Sequence, residues 1–466
     1  MGQKFFSGLQ WLLRPGFGRF EPEEFKKFLK LGAIFACIIG SYWTLRPLKD
    51  VIFIQFVGKL YIPYAKTVSV LALFPIVMLY TKLLNYRTKE RMIVILASFY
   101  AVLILLFASL IYCIQDSVVE IAASSVFAGY VINVIGFAWY LFVESYGSLV
   151  IALFWAFATG ITDPQSGRKG FSLVVALGQG GGVIFPYTVG SLPSRLGFST
   201  DTLSLCVLSM LVFMIIPLIR FFLSSTPDRL MQPFTEEGEV DNINKEKPGF
   251  LEGLRLVIKN PYLLGIFSVN FIYEIIITIF DFNFKVAAST EYTGVELSKY
   301  LSLYGSSVSL VSFLCLMFGI GGIMRILGVG FALVLMPIIV GFALTGFLTF
   351  DSLNFLFCLM VGSKAINYAL NGPALKQLYI PTSSDVRSKA QAWIEAFGSR
   401  SSKQAGSVFN MFLAPFQSLF GPATGRLAYL ALSGVVCFPL LVVWLFIAVF
   451  LGKAFKKAVR EKVAIC

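Results

Sequence analysis

Arg46-Pro47-Leu48-Lys49-Asp50 interrupts an otherwise apolar run from Leu31 to Val57, a run long enough to cross a bilayer once. Two cations, one anion and a proline at membrane depth are costly. Ionisable residues so placed usually face a bundle interior or a water-filled cavity, pair with one another, and mark a substrate or ion pathway. The proline removes one backbone hydrogen bond, which is tolerated where protein or cavity water satisfies the freed carbonyl. The plainer alternative is an Arg/Lys–Asp cluster that staples helices or snorkels to the interface. Further cations inside other apolar runs favour the pathway.

Around that stretch the chain is 57% hydrophobic and 14% charged, with a mean hydropathy of +0.80. Its many long apolar runs define an all-α, polytopic membrane protein whose surroundings are the lipid bilayer. The net charge of +13 does not signal nucleic acid, because the basic residues lie in short loops between apolar runs, where they set topology. Histidine is absent, which removes the commonest general acid/base and metal ligand. The cysteines (Cys37, Cys113, Cys206, Cys315, Cys358, Cys437 and Cys466) show no C-x-x-C spacing and mostly sit in apolar runs. No metal, cofactor or disulfide framework is therefore expected. Residues 1–30 lack the pattern of a cleavable signal. Within them, Phe5 to Leu13 and Phe25 to Leu29 read as short amphipathic pieces at the membrane surface or, preferably, as packing against the first span.

The apolar pattern predicts twelve spans: 31–57, 62–84, 92–112, 133–160, 171–190, 202–223, 261–287, 298–320, 326–348, 352–374, 390–416 and 427–452. Residues 117–160 could hold one span or two, and charge decides. With one, most of the 38 Lys and Arg fall on the side of both termini, against Lys59, Arg195, Lys299 and Arg426 opposite. The positive-inside rule then places both termini in the cytoplasm, and 117–132 becomes an outer-surface helix or an extension of the fourth span. The organisation is a cytoplasmic segment 1–30, a six-helix half 31–223, a cytoplasmic linker 224–260, a second half 261–452 and a tail 453–466. Six plus six around a central loop is a major-facilitator-like layout. A weak repeat supports the halves: Lys169 to Gly178 and Lys389 to Gly398 have equal spacing, and Lys49-Asp50 is echoed by Asp281 and Lys285.

Inside the spans stand Arg46, Lys49, Lys66, Lys285, Lys364, Arg400 and Lys403, against Asp50, Glu144, Glu274, Asp281 and Glu395. An excess of intramembrane cations calls for an anionic substrate, and separated cations suit several phosphates. Arginine supplies bidentate contacts and lysine a point charge. Arg46, Lys49, Lys285, Arg400 and Lys403 are the candidate phosphate ligands. Asp50, Glu144, Glu274 and Asp281 are candidates for gating or coupling. Lys66 and Lys364 are assigned to the membrane interface. Asp281 and Lys285, four apart, can pair on one helix face. Gly178-Gln179-Gly180-Gly181-Gly182 lacks the context of a P-loop and reads as helix packing or a flexible point. Tyr42, Trp43 and Tyr146 could stack on a base, although core packing suits most of the 47 Phe and 19 Tyr.

The first stretch resembles the first-helix signature of the nucleotide transporters of plastids and obligate intracellular bacteria, the ATP/ADP translocase type. Phe142-Val143-Glu144-Ser145-Tyr146-Gly147-Ser148 is similar to the family's fourth-helix Glu-aromatic-Gly-Ser stretch. Leu375-Lys376-Gln377-Leu378-Tyr379-Ile380-Pro381, followed by Arg387-Ser388-Lys389-Ala390, Gly398-Ser399-Arg400 and Ser402-Lys403-Gln404-Ala405-Gly406-Ser407, resembles the family's most specific block. The resemblance implies exchange of nucleotides, ATP for ADP in the family's best-known form, with no metal cofactor. By carry-over, Lys49, Glu144, Arg400 and Lys403 fall on positions implicated in transport. Tyr273-Glu274 and Val334 depart from the exchangers' seventh and ninth helices. Other nucleotides, NAD, and proton-driven import are therefore alternatives, and a membrane-embedded transferase is the rival from another class. The expected setting is a bacterial inner membrane, with the monomer as the working unit.

The topology is testable with single cysteines. A cysteine placed at Glu237 should be labelled only from the cytoplasmic side, and one at Glu291 only from outside. Labelling of the first from outside overturns the charge-based count.

Overall fold

Pro22 opens the first helix, where its missing N–H leaves no hydrogen bond unmade, and Glu23 and Glu24 occupy the first turn near the positive helix end. The computed structural model describes residues 21–84, 86, 88–114, 117–162, 164–231, 250–318, 320–350, 352–383, 390–391, 393–461 and 465. The Phe5–Leu13 piece, the acidic cluster of the linker, and Arg387 and Lys389 lie outside the described residues.

The first helix, α1, runs Pro22–Phe56 and continues through Pro47. A 3₁₀ turn, Lys59–Tyr61, leads to α2 (Ile62–Leu84) and then α3 (Lys89–Ile114). The short α4 (Val118–Ser124) ends at Ser125, whose hydroxyl accepts from the Ala128 amide and caps α5 (Val126–Gly160). Next come α6 (Pro164–Thr188), α7 (Leu192–Leu196) and α8 (Thr202–Ser225). After the linker, α9 (Phe250–Lys259) precedes α10 (Pro261–Glu291), α11 (Gly294–Phe318) and α12 (Ile320–Thr349). The last of these kinks at Gly328, whose φ of 81° suits glycine. A π segment, Asn367–Asn371, joins α13 (Leu353–Ile366) to α14 (Gly372–Leu378). A second π segment, Ile394–Gly398, precedes α15 (Ser399–Asn410), α16 (Leu413–Phe420) and α17 (Pro422–Glu461).

Among the described residues no strand occurs, and nine helices are long and apolar enough to cross a membrane. They are α1, α2, α3, α5, α6, α8, α10, α12 and α17. The chain is a multi-pass, all-α membrane protein. The other three expected spans fall on α11, on α13 with α14, and on the second π segment with α15 and α16. Residues 117–132 supply both a short helix and an extension, as α4 and the first turns of α5. Phe25 to Leu29 are not a separate surface piece. They belong to α1 itself, with Phe25 and Phe28 buried.

The described residues pack as two compact units. One comprises Met1–Lys59, Leu71–Val240 and Tyr292–Phe313; the other comprises Leu60–Val70, Asp241–Glu291 and Leu314–Cys466. In the first, α1 lies against α6 through interlocking glycines. A Cβ on Gly178 would stand 2.5 Å from the Phe35 ring, and one on Gly181 only 2.2 Å from the Ala36 carbonyl oxygen. The glycine-rich stretch is therefore a packing surface, of the small-residue kind that lets helix backbones approach closely in membranes. Phe35 stacks on Phe154 of α5 at 4.7 Å, tying a third helix to the pair. Buried Lys27 donates to the carbonyls of Ile161 and Leu230, 2.7 Å each, fastening the start of α1.

In the second unit α10 is the central helix. Gly406 of α15 sits where a Cβ would meet the Ile275 carbonyl oxygen at 3.0 Å, so the small residues after Lys403 do allow close approach. Phe280 stacks on Phe347 of α12 at 4.9 Å, and the Tyr429 hydroxyl donates to Asn410 Oδ1 at 2.7 Å.

The glycine contact gives a paired expectation. Gly181→Ala places a methyl against backbone that cannot yield, and should destabilise the protein by about 1–3 kcal/mol. Gly180 has nothing within 4 Å of its would-be Cβ, so Gly180→Ala should leave stability unchanged or gain about 0.5–1 kcal/mol. Thermal unfolding midpoints of the two variants in detergent check the contrast.

Candidate functional site

Two ion-pair clusters stand inside the apolar helices, one in each unit. In the first, Lys49 follows Pro47 by two residues on α1. Its ammonium lies 2.5 Å from Glu144 Oε1 of α5 and 3.7 Å from Asp50 Oδ1. The Lys49 and Asp50 side chains are 5% and 1% exposed, while Glu144 is 37% exposed. Glu144 is thus the most exposed member of the cluster. The Tyr140 ring, one turn before Glu144, lies 4.0 Å from the same ammonium. A cation over an aromatic face in a desolvated setting gains up to about 2 kcal/mol. The Arg46 guanidinium sits 5.3 Å over the Trp43 ring.

The candidate stacking residues are placed differently from one another. Tyr42 lies on the α5 backbone, where a Cβ on Gly147 would be 2.4 Å from its ring. Trp43 is bracketed by Gly182 of α6 and Gly305 of α11, at 3.1 and 3.7 Å from their would-be Cβ atoms. Tyr146 is fully buried, donates to the Ile38 carbonyl at 3.4 Å and meets Tyr100 edge-on. Tyr100 in turn bonds Ser145 at 2.8 Å, so the residues flanking Glu144 are fixed from behind.

In the second unit α10 presents Glu274, Asp281 and Lys285 at helical spacing. Asp281 Oδ2 pairs with Lys285 at 2.5 Å, as the i, i+4 spacing predicts. Asp281 Oδ1 takes a second lysine, Lys364 of α13, also at 2.5 Å. The assignment of Lys364 to the membrane interface is therefore corrected. Its side chain is 10% exposed and turned to a carboxylate, since a buried ammonium is stable only when paired. Lys66 is half-buried. Glu274 lies 3.6 Å from Lys403 of α15 and accepts from Ser399 at 3.4 Å. Lys403 and Arg400 are both exposed.

The structure thus brings Lys49, Asp50 and Glu144 together, then Asp281 with Lys285, then Glu274 with Lys403. Two cluster members are not singled out by the sequence. Tyr140 carries a signal, its four-residue spacing from Glu144. Lys364 carries none, because its partner is 83 residues away. Among the described residues no group of three or more His, Cys, Asp or Glu is arranged to hold a metal.

A multi-pass helical bundle with ion pairs buried in its spans fits a major-facilitator-like fold. Solved structures agree on the fold. A bacterial homologue of the iron transporter ferroportin superposes with a TM-score of 0.59 at 12% identity, covering 90% of this chain and 98% of that one. A bacterial homologue of the human lysosomal transporter Spinster gives 0.55 at 14%, covering 94% and 99%. The model of the TLC ATP/ADP transporter family matches residues 12–455, and the chain belongs to that family. ADP,ATP carrier protein 1 of Rickettsia prowazekii (strain Madrid E) is 24% identical over 482 residues, covering 95% of each chain. The plastidic ATP/ADP-transporter of Solanum tuberosum is 24% identical over 500 residues, covering 96% of this chain and 76% of that one.

Lys49 supplies the cation between two carboxylates, so its loss should be severe. Lys49→Met leaves both acids beside an apolar side chain and should destabilise the protein by about 3–5 kcal/mol. Adding Glu144→Gln should recover part of that loss, a non-additivity expected of contacting charges. Thermal unfolding of the single and double variants measures it.

Proposed function

We propose that this protein exchanges nucleotides of the ATP/ADP type across a bacterial inner membrane by alternating access. In this reading it has twelve spans in two sets of six, both termini cytoplasmic, acts as a monomer and carries no enzymatic activity. The observation that carries the proposal is the Lys49–Glu144 pair, in which a buried ammonium is covered by a more exposed carboxylate. A phosphate oxygen is the chemical competitor of that carboxylate: it accepts the same N⁺–H and brings equal or greater negative charge. While the carrier is empty, Glu144 keeps the lysine neutralised. When phosphate arrives, the bridge opens.

Arg46 would join Lys49 in holding phosphate in the first unit; Lys285, Arg400 and Lys403 would do so in the second. Asp50, Glu144, Glu274 and Asp281 are the carboxylates those cations leave on binding. Tyr42, and Trp43 with the Arg46 guanidinium over its ring, remain candidates for the base, together with the buried Tyr146. The curated relatives are carriers and transporters by name, which supports transport over a transferase.

Reconstitution tests both substrate and coupling. Proteoliposomes loaded with ADP should take up labelled ATP, whereas empty ones should not. Glu144→Gln should lower exchange about tenfold or more, since a charge-assisted hydrogen bond is worth about 1.5–3 kcal/mol, and should let some uncoupled leak through. Uptake into empty vesicles driven by an imposed proton gradient, and abolished by Glu144→Gln with exchange intact, would instead make Glu144 a proton carrier. Unlabelled NAD and other nucleotides in competition define the substrate.

A further inference from the structure

We infer that Lys364 is a phosphate ligand of the transport site, held ready by Asp281, a role that rests on the nucleotide-transport reading above. Asp281 needs only one cation to be neutralised, and Lys285, four residues on along α10, already supplies it at 2.5 Å. Lys364 arrives from another helix to the second oxygen of the same carboxylate, also at 2.5 Å. Within the cluster, two ammonium groups share one carboxylate, and all three side chains are at most 10% exposed. A second buried ammonium is costly as a staple, because an apolar side chain of similar volume packs there without desolvation cost. It is suited to a site that must bind further negative charge.

The local backbone adds an independent reason. Lys364 lies at the end of α13, three residues before the π segment Asn367–Asn371. Such widened turns are rare; they occur mostly as single-turn insertions inside α-helices, frequently at functional sites. The same juxtaposition recurs at the other described π segment, Ile394–Gly398, which directly precedes Arg400 and Lys403. Beyond Lys364 two asparagines, Asn367 and Asn371, stand four residues apart in an otherwise largely apolar stretch. Asn371 is 1% exposed and donates to Asn367 Oδ1 at 2.8 Å, while its own Oδ1 has no hydrogen-bond partner among the described residues. A buried amide bonded to a half-buried one, with an acceptor to spare, belongs to a polar lining and not to a lipid-facing surface.

Lysine binds phosphate as a point charge and tolerates several approach directions. A phosphate reaching Lys364 takes the N⁺–H now given to Asp281, and Lys285 keeps the aspartate neutralised. No carboxylate is stranded by the exchange. The ligand chemistry is a phosphate chain, shared by nucleotide di- and triphosphates and by free pyrophosphate.

The test uses the full-length protein in ADP-loaded proteoliposomes, comparing the parent with Lys364→Gln and Lys364→Arg. The KM for labelled ATP should rise roughly ten- to a hundredfold in Lys364→Gln, with kcat changed less. Inhibition by unlabelled pyrophosphate should weaken by a similar factor, and Lys364→Arg should restore most of both. If pyrophosphate inhibits the parent no better than it inhibits Lys364→Gln while ATP still discriminates between them, the ligand is the nucleotide's phosphate and not free pyrophosphate. Should Lys364→Gln fail to fold, the double variant Lys364→Gln/Asp281→Asn removes both charges together, and the raised KM should persist in it. An unchanged KM with only a lower unfolding midpoint overturns the inference and makes Lys364 a helix staple. If the parent takes up no nucleotide at all, the transport reading fails first, which is a different result.

Discussion

A lysine ammonium inside an apolar helix bundle must be neutralised, and much of the first unit follows from meeting that demand at Lys49. The effective penalty of burying one ion is several kcal/mol, and no residue within reach on α1 except Asp50 can offset it. The second carboxylate therefore comes from α5, and Tyr140 adds a ring face one turn away. Such an arrangement holds only if α1 and α5 keep their register to within a fraction of an ångström. The packing around it does this: Phe35 stacks on Phe154, Tyr42 lies against Gly147, and Gly178 and Gly181 lock α6 onto α1 as well. Pro47 is tolerable in the same helix because its neighbours on all sides are protein, and α1 stays helical through it.

The two clusters meet the same constraint with different partners. In the first unit Lys49 stands between the Asp50 and Glu144 carboxylates, with Arg46 close enough to act on both Lys49 and Glu144; in the second the Asp281 carboxylate takes Lys285 on one oxygen and Lys364 on the other. On the proposed nucleotide-transport reading, an anion arriving at Lys49 would displace Glu144, and Arg46 is the neighbouring cation to receive the freed carboxylate. At Asp281 it would take a hydrogen bond from one of the two lysines that share the carboxylate. On that reading the first arrangement favours a switch, in which binding forces a rearrangement, and the second favours affinity.

The legibility of these features in the sequence follows the range of the interactions that make them. Asp281 with Lys285 is a contact within one helix, so spacing alone reveals it. The small residues at 178–182 and 405–407 are readable as packing surfaces because only close helix approach explains such runs in an apolar segment. Lys49 with Glu144 spans 95 residues, and was approachable only because each is a lone charge in an apolar run, flanked by motifs that resemble a known family. Lys364 has neither local partner nor motif, so nothing distinguished it from a cation at the interface. The helix ends blur for a different reason. Lys26, Lys27 and Lys30 make the start of α1 look like a surface segment, yet Lys27 is buried through hydrogen bonds to carbonyls of distant segments. Three expected spans are also less apolar or less continuous than the rest: α11 carries a row of serines, and two stretches are broken by π segments.

That row of serines shows a third way of placing polar groups in the bundle. Ser298, Ser302, Ser306, Ser309 and Ser312 recur every three or four residues on α11 and are all buried. Ser302 meets Gly190 and Ser309 meets Gly182, so hydroxyls of one helix face the glycines of α6. Ser298 donates to Asp201 at 2.9 Å and Ser312 to the Val308 carbonyl at 2.7 Å. Ser302, Ser306 and Ser309 have no hydrogen-bond partner among the described residues. The middle of this seam is thus held by van der Waals contact, and directional bonds fix it only toward the Asp201 end, where Ser194 also bonds Glu296. Apart from Trp43, wedged between Gly182 and Gly305, the small side chains of this seam leave little steric barrier to displacement, and three hydroxyls that lack partners among the described residues lose no hydrogen bond when it occurs. The ion-pair clusters are the opposite case, costly to open unless an anion replaces what is lost. A bundle built this way concentrates its resistance to movement at the charges, where, on the proposed reading, an arriving phosphate would lower it.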